Sequence, residues 1–206
     1  MTSPLRLVVL GDSIGFGTGA SRPADALGPR LAAALTDDGF DVDLHVVAVP
    51  GASSADLAPQ VRRAVPLAPD LAVVVIGAND LARFRPAEQA AAELGAAVSA
   101  LRAADAGVVV VPAPDMSMVP FVPPAFRQLV QAACTQLQLR QAAVVEAAGG
   151  SVAAVSTTVA AAFLADSTLF SGDRFHPSSA GYARIAAEVA PAVLDVARAR
   201  RDDAAA

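Results

Sequence analysis

The chain has 206 residues, a net charge of −5 and a single cysteine, Cys134. This length fits one domain with a substantial core, the acidic balance argues against a nucleic-acid-binding protein, and one cysteine cannot form an internal disulfide. The apolar blocks are shorter than the roughly 20 residues that span a bilayer, and no secretory signal is visible, so we expect a cytoplasmic protein without a membrane span.

Short β-branched runs alternate with longer alanine-rich stretches along the chain. Strands are predicted over Leu5–Leu10, Val42–Val49, Leu71–Ile76, Val108–Val111 and Ser151–Val155. Four of these are nearly continuous apolar runs, which indicates strands that are covered on both faces. Helices are predicted over Ala24–Asp38, Ser54–Val65, Ala87–Ala104 and Ala125–Ala148, and from Pro177 towards Ala199.

This alternation predicts an α/β fold, a three-layer α/β/α sandwich around a central parallel sheet of about five strands with right-handed crossovers. Residues 1–200 are predicted to form a single domain, and residues 201–206 a flexible tail. In open parallel sheets, ligands bind beyond the carboxyl ends of the strands. The residues that follow each strand are therefore the first candidates for function.

The first two predicted strands each end in a glycine-containing turn. Ser13 follows the first strand, where a strand-to-helix junction exposes the hydroxyl and the helix N-terminus favours developing negative charge. Gly51 follows the second strand, where a backbone N–H can approach a substrate closely. The first pattern also fits a helix-capping serine, and the second also fits an ordinary turn.

Polar residues also follow the third strand and precede the last helix. Asn79, the only asparagine, comes after the third strand, and its side-chain N–H suits stabilisation of an oxyanion. Asp173 and His176 are three residues apart, so the carboxylate can orient the imidazole while the other ring nitrogen takes a serine proton. A helix-capping role for Asn79, and a capping aspartate beside a surface histidine, are the alternatives.

Three blocks in this order resemble the motifs of the SGNH (GDSL-like) hydrolases, a family of serine esterases and lipases. They are Gly11-Asp12-Ser13, Gly77-Ala78-Asn79-Asp80 and Asp173-Arg174-Phe175-His176. The resemblance extends from Leu5 to about Leu194, and it implies a flavodoxin-like fold.

The same resemblance implies a role for each site residue. Ser13 is the nucleophile, His176 the base and Asp173 the group that orients the base. The backbone N–H groups of Ser13 and Gly51 form the oxyanion hole with the Asn79 side chain. The implied reaction is hydrolysis of a small-molecule carboxylic ester through an acyl-enzyme, with neither a metal nor an organic cofactor.

The same residues also fit other functions. The same triad would serve an acyltransferase or a thioesterase acting on a carbohydrate or thiol acceptor, and a non-catalytic binding module is a further alternative. The segment Gly15–Ala20 matches the dinucleotide fingerprint G-x-G-x-x-[GA]. However, it begins five residues after the strand, and the second strand ends without the acidic residue that holds a ribose hydroxyl.

The segment 112–124, rich in proline and methionine, follows the fourth strand and should border the same cleft. We predict that it forms part of an acyl-binding wall, although a loop folded onto the core fits equally. Its candidate wall residues are Met116, Met118 and Phe121. Phe84, after the Asn79 block, is a candidate for a second wall, and Asp12, beside the nucleophile, is a further substrate-binding candidate.

Two further residues of reactive type are interpreted as structural. His45 lies within the second predicted strand, where we expect a partly buried, hydrogen-bonded histidine. Cys134 lies in a predicted amphipathic helix without an activating base nearby in sequence, and we expect a small core residue.

Overall fold

A computed structural model describes residues 3–154 and 157–205 of the chain. Its sheet consists of β1 (Leu5–Gly11), β2 (Val42–Val46), β3 (Leu71–Val75), β4 (Gly107–Val111) and β5 (Ser151–Val152). The strands are all parallel, in the order β2-β1-β3-β4-β5. This is the flavodoxin-like order of doubly wound folds. The predicted five-stranded parallel sheet is therefore confirmed.

Eight α-helices connect and follow the strands in the described part of the chain. They are α1 (Ser13–Phe16), α2 (Leu27–Asp37), α3 (Leu57–Ala64), α4 (Ala78–Ala82), α5 (Ala87–Ala103), α6 (Arg127–Ala147), α7 (Thr157–Ala165) and α8 (Ser179–Ala205). Short 3₁₀ turns cover Pro23–Asp25, Ser54–Asp56, Val65–Leu67, Met116–Met118, Pro124–Phe126 and Ser167–Leu169. Within 3–154 and 157–205, none of the helices has the length and apolarity needed to cross a bilayer.

The central strands build two hydrophobic cores because successive side chains of a strand point to opposite faces of the sheet. Val8, Leu10 and Val74 pack on one face against α3, α5 and α6, whereas Leu7, Val9 and Val73 pack on the other against α2 and α8. Helices thus cover both faces, as the continuous apolar strands predicted. The carboxyl edge of the sheet remains available for a functional site.

The observed elements differ from the predicted ones at the ends of the sheet and of the chain, and α7 was not among the predicted helices. β2 ends three residues early, at Val46, as an edge strand of half-exposed residues. β5 has two residues, and the predicted strand end at Val155 lies outside the described residues. α8 continues to Ala205, and the Arg201 guanidinium lies 4.6 Å from the Phe40 ring centroid. The predicted tail is therefore helical from 201 to 205, and its flexibility stays a prediction.

Candidate active site

Ser13 is presented by a tight turn between β1 and α1. The turn depends on Gly11, whose φ is +123° and where an added Cβ would lie 1.8 Å from the Val75 carbonyl oxygen. A buried amide from α3 fixes this backbone: the Gly11 N–H donates to Gln60 Oε1 over 2.7 Å, and Gln60 Nε2 donates to the Gly11 carbonyl over 2.9 Å. The backbone that leads into Ser13 is thus fixed at Gly11.

Ser13, His176 and Asp173 form a continuous hydrogen-bonded chain. His176 Nε2 lies 3.0 Å from Ser13 Oγ, although 163 residues separate them in sequence. His176 Nδ1 lies 2.6 Å from Asp173 Oδ2. If Nδ1 carries the imidazole proton and donates it to the carboxylate, Nε2 is free to accept the serine proton.

The Asp173 carboxylate is held by its own loop. Its Oδ1 accepts hydrogen bonds from the Ser171 hydroxyl over 2.7 Å and from the backbone N–H groups of Phe175 and His176, each over 2.9 Å. Partial burial favours the neutral acid, but the hydrogen bonds from His176, Ser171 and Phe175 outweigh it and lower the pKa of Asp173 well below its usual range. The carboxylate beside the imidazole therefore stays ionised at neutral pH.

Asp12 is a buried carboxyl group next to the nucleophile. Only 1% of the residue is exposed, and its Oδ1 accepts the Ile14 N–H over 2.9 Å, which caps α1. Burial raises the pKa of Asp12 to about 6, although the Ile14 hydrogen bond and the positive charge of protonated His176 both oppose this rise. Asp12 also lines the cavity described below, and its role in substrate binding stays a prediction.

The proposed oxyanion donors lie on neighbouring elements. As the first residue of α1, Ser13 has a backbone N–H without a partner inside the helix. Asn79, in α4, lines the cavity and donates one side-chain N–H to the Ala52 carbonyl over 2.9 Å. Gly51, with φ +81°, lines an adjacent, shallower cleft, and its carbonyl accepts from Arg83 Nη2 over 2.7 Å. Its N–H is the one proposed donor outside the main cavity wall.

A partly buried ionic network centred on Asp80, which the sequence did not predict, ties the turn after β2 to α4. Asp80 Oδ2 accepts hydrogen bonds from both the N–H and the hydroxyl of Ser54, each over 3.0 Å. Arg85 Nε lies 3.0 Å from Asp80 Oδ1 without hydrogen-bond geometry, and Arg85 Nη2 donates to Glu93 over 2.6 Å. Burial raises the pKa of Asp80, against the opposing effect of the Ser54 hydrogen bonds and the Arg85 charge. The Gly51-containing turn is thereby held against α4.

Two buried glutamines were also missed, although the sequence carries a signal for each. Gln141 Oε1 accepts the Ala113 N–H over 2.8 Å, and its Nε2 donates to the Ile76 carbonyl over 3.1 Å, which joins the ends of β3 and β4. Gln60 has the equivalent role at Gly11. Both glutamines fall on the apolar, core-facing stripe of a helix. A polar residue on such a stripe has to find partners inside the protein, which is the sign that was overlooked.

A cavity of about 480 Å³ opens at Ser13 and His176. The predicted wall residues Met116 and Met118 line it. The prediction for Phe84 is wrong: the chain turns there with φ +53°, and the residue is 93% exposed, outside the cavity lining. Phe121 is also excluded from the lining and is 62% exposed, since Met118 and Val119 take the inward positions of that loop.

The remaining candidates have structural settings. His45 is partly exposed on β2, with Nε2 3.0 Å from Asp43 Oδ2, as predicted for a hydrogen-bonded structural residue. Cys134 is buried, lines the cavity and has a raised pKa because of its burial, so it is not a thiolate at neutral pH. The Gly15–Ala20 segment ends α1 after four residues, instead of opening the long helix of a dinucleotide site.

The chain matches known proteins over almost its whole length. Residues 9–184 match the profile of the GDSL-like lipase/acylhydrolase family. The chain is 33% identical over 183 residues to the GDSL-like esterase Rv1075c of Mycobacterium tuberculosis (strain ATCC 25618 / H37Rv), an alignment that covers 87% of this chain and 58% of that protein. The chain thus spans little more than half the length of this relative.

Solved structures show the same fold at low identity. TesA superimposes with a TM-score of 0.74 at 21% identity, over 93% of this chain and 99% of TesA. A catalytic mutant of Axe2, an acetylxylan esterase from Geobacillus stearothermophilus, gives a TM-score of 0.71 at 18% identity, over 94% of this chain and 95% of Axe2. With the fold, the motif positions and the profile match in agreement, the chain belongs to the GDSL-like lipase/acylhydrolase family, the SGNH hydrolases.

Proposed function

We propose that this protein is a serine esterase that hydrolyses carboxylic esters through an acyl-enzyme intermediate. One observation carries the proposal: the hydroxyl of Ser13 lies 3.0 Å from His176 Nε2, whose other ring nitrogen lies 2.6 Å from the Asp173 carboxylate. A serine hydroxyl is a weak nucleophile by itself, and an oriented base within hydrogen-bond reach is what activates it.

In the first half of the reaction, Ser13 Oγ forms a bond to the ester carbonyl carbon while its proton passes to His176 Nε2. The carbonyl oxygen becomes an oxyanion in this tetrahedral intermediate. The intermediate then collapses: the bond between carbon and alcohol oxygen breaks, and protonated His176 gives its proton to the leaving alcohol. An acyl group remains on Ser13.

In the second half, water replaces the alcohol. His176 takes a proton from the water molecule as its oxygen attacks the acyl carbon, and a second tetrahedral intermediate forms. When this collapses, the proton returns from His176 to Ser13 Oγ and the carboxylic acid is released. Asp173 remains ionised throughout, in agreement with its lowered pKa, and stabilises the imidazolium form of His176 twice in each cycle.

Stabilisation of the oxyanion is assigned to the Ser13 and Gly51 backbone N–H groups and the Asn79 side chain. Asn79 uses one of its two side-chain N–H bonds to donate a hydrogen bond to the Ala52 carbonyl, which leaves the other N–H for the substrate. A donor that is fixed before the reaction begins stabilises developing charge without reorganising. Asn79 and Arg83 donate hydrogen bonds to carbonyl groups of the Gly51–Ser54 turn, and the Asp80 carboxylate accepts one from the Ser54 N–H, which favours such preorganisation.

The direct test is hydrolysis of p-nitrophenyl acetate by Ser13→Ala. We expect kcat/KM to fall by about 10⁴-fold or more, as happens when the nucleophile of a serine hydrolase triad is removed. Ser99→Ala is a suitable control, because Ser99 lies exposed on α5, away from the cavity lining. Activity of Ser13→Ala close to that of Ser99→Ala would refute the assignment of the nucleophile.

A further inference from the structure

The cavity at Ser13 extends well beyond the reacting groups, into a region built by α6 and α7. Its far lining includes Val159, Ala160 and Phe163 of α7, and Cys134 and Ala142 of α6. From this we infer, resting on the proposed function, that the cavity binds the acyl part of the substrate and selects chains of about 8–12 carbons, a size that follows from its volume.

The chemistry of the lining favours a hydrocarbon. No arginine occurs among the described lining residues, so the cavity offers an anionic group no permanent positive charge. Two of its polar side chains are already engaged, because the Asp115 carboxylate accepts the Ser117 N–H and Gln138 Nε2 donates to the Ala113 carbonyl. Gln131 and Thr135, two further polar residues of the lining, are exposed. The buried part of the lining, at Val159 and Phe163, is apolar and suits an alkyl chain, which needs no hydrogen-bonding partner.

The volume of the cavity limits the length of the acyl chain. A methylene group occupies about the same space as a water molecule, roughly 30 Å³, so a cavity of about 480 Å³ holds roughly 16 such groups. The ester and the first atoms of the alcohol take part of this space. Each buried methylene is expected to raise kcat/KM about 4-fold until the cavity is full.

The size of the side chains around the cavity should determine the longest acyl chain that fits. Phe163 and Phe170 pack edge to face, with ring centroids 5.0 Å apart, and Met118 packs against this pair. Large side chains thus close one side of the cavity, while Ala142 and Ala160 leave space on the helices. Enlarging either alanine should shorten the preferred chain without touching the reacting groups.

The test compares p-nitrophenyl esters from acetate to palmitate with two adjacent alanines of α7. Ala160 lines the cavity, whereas Ala161 is exposed and lies outside its lining. For the unmodified protein, kcat/KM should rise from acetate to a maximum between the octanoate and dodecanoate esters. Ala160→Phe should lower the ratio of the decanoate to the acetate kcat/KM at least 10-fold, whereas Ala161→Phe should leave this ratio unchanged.

A second matched pair serves if Ala160→Phe does not fold, as judged by circular dichroism. Ala142→Phe fills the same cavity from α6, and its exposed neighbour gives the control Ala143→Phe. The inference is overturned if the active protein shows a flat or falling profile from acetate upwards. It is equally overturned if the filling and control variants have the same profile.

A binding measurement separates this inference from the proposed function. Calorimetric titration of methyl decanoate into Ser13→Ala measures binding to the cavity in the absence of turnover. Saturable binding to Ser13→Ala that is lost in the double variant Ser13→Ala/Ala160→Phe supports the acyl site. This holds even if the unmodified protein hydrolyses no ester and the proposed function fails. Hydrolysis of acetate without any binding of methyl decanoate overturns the acyl site alone.

Discussion

The two halves of the cavity at Ser13 are built from different interactions. At the ends of β1 to β3, directional hydrogen bonds hold the backbone that carries or flanks Ser13: Gln60 and Asp80 accept from backbone N–H groups, and Asn79 donates to a carbonyl. Beyond β4, the wall is mostly apolar, as in the Phe163–Phe170 pair. Hydrogen bonds lose strength steeply with angle and fix atoms in place, whereas apolar contacts are non-directional.

This difference gives each half its own expected signature. Substitutions in the hydrogen-bonded half should change kcat for every ester alike, because they displace groups that act on the common carbonyl. Substitutions in the apolar half should change the ranking of esters by length.

The largest effect is expected from the histidine base. The protein has two histidines, and each lies within hydrogen-bond distance of an aspartate. His176→Ala should lower kcat by about 10⁴–10⁶-fold for acetate and decanoate esters alike. His45→Ala, the matched control, should leave both rates within 2-fold of those of the unmodified protein. A comparable loss of kcat in the two variants, measured by initial rates at pH 7.5, would contradict the assignment of His176 as the base.

A smaller loss is expected at the oxyanion donor. Asn79→Ala removes one donor to the transition state and should reduce kcat by about 10²–10³-fold, with KM little changed. The same factor should appear for short and long esters, since the donor contacts only the carbonyl oxygen. A loss confined to one chain length, or one that appears only in KM, would place Asn79 in substrate binding instead of catalysis.

The smallest effect concerns stability at Asp12. Its pKa is raised by burial to about 6 in the folded protein, so the folded state binds the proton more tightly than the unfolded chain. This contribution to stability is fully present below about pH 4 and is lost as the pH rises through 6. Asp12→Asn keeps an oxygen for the Ile14 N–H, and should raise the free energy of unfolding by about 1–3 kcal/mol at pH 8.

A capping aspartate with the opposite shift provides the control for Asp12. Asp166 is exposed, and hydrogen bonds from the side chain and the backbone N–H of Thr168 lower its pKa. Its contribution to stability is therefore present at neutral pH and lost on acidification. In urea unfolding at pH 8, Asp166→Asn should lower stability while Asp12→Asn raises it. Destabilisation by both variants would show that burial of the charge at Asp12 is not costly.

The sheet and the chain of reacting groups were accessible from sequence because each depends on local patterns. Continuous apolar runs marked the strands, and the motifs at Ser13, Asn79 and Asp173–His176 fall at strand ends or just before α8. The end of β2 at Val46 and the extension of α8 to Ala205 were not predicted. Such boundaries depend on tertiary contacts, which local patterns do not contain.

The cavity walls and the supporting polar network were harder to predict. Phe84 and Phe121 were assigned to the walls because they are large and apolar, but a loop residue can equally face solvent, as both do. Ser54 meets Asp80 only through tertiary folding, so spacing gave no sign of their contact. Gln60 was different, since its place on an apolar helix stripe was visible in the sequence.

Covalent labelling tests the nucleophile most directly. A fluorophosphonate reacts with an activated serine hydroxyl, and mass spectrometry of the digested protein identifies the modified residue. We predict one adduct, on Ser13, whose rate of formation falls strongly in His176→Ala and stays unchanged in His45→Ala. An adduct on a different residue, or labelling of Ser13→Ala at the rate of the unmodified protein, would contradict the assignment of Ser13 and His176 as nucleophile and base.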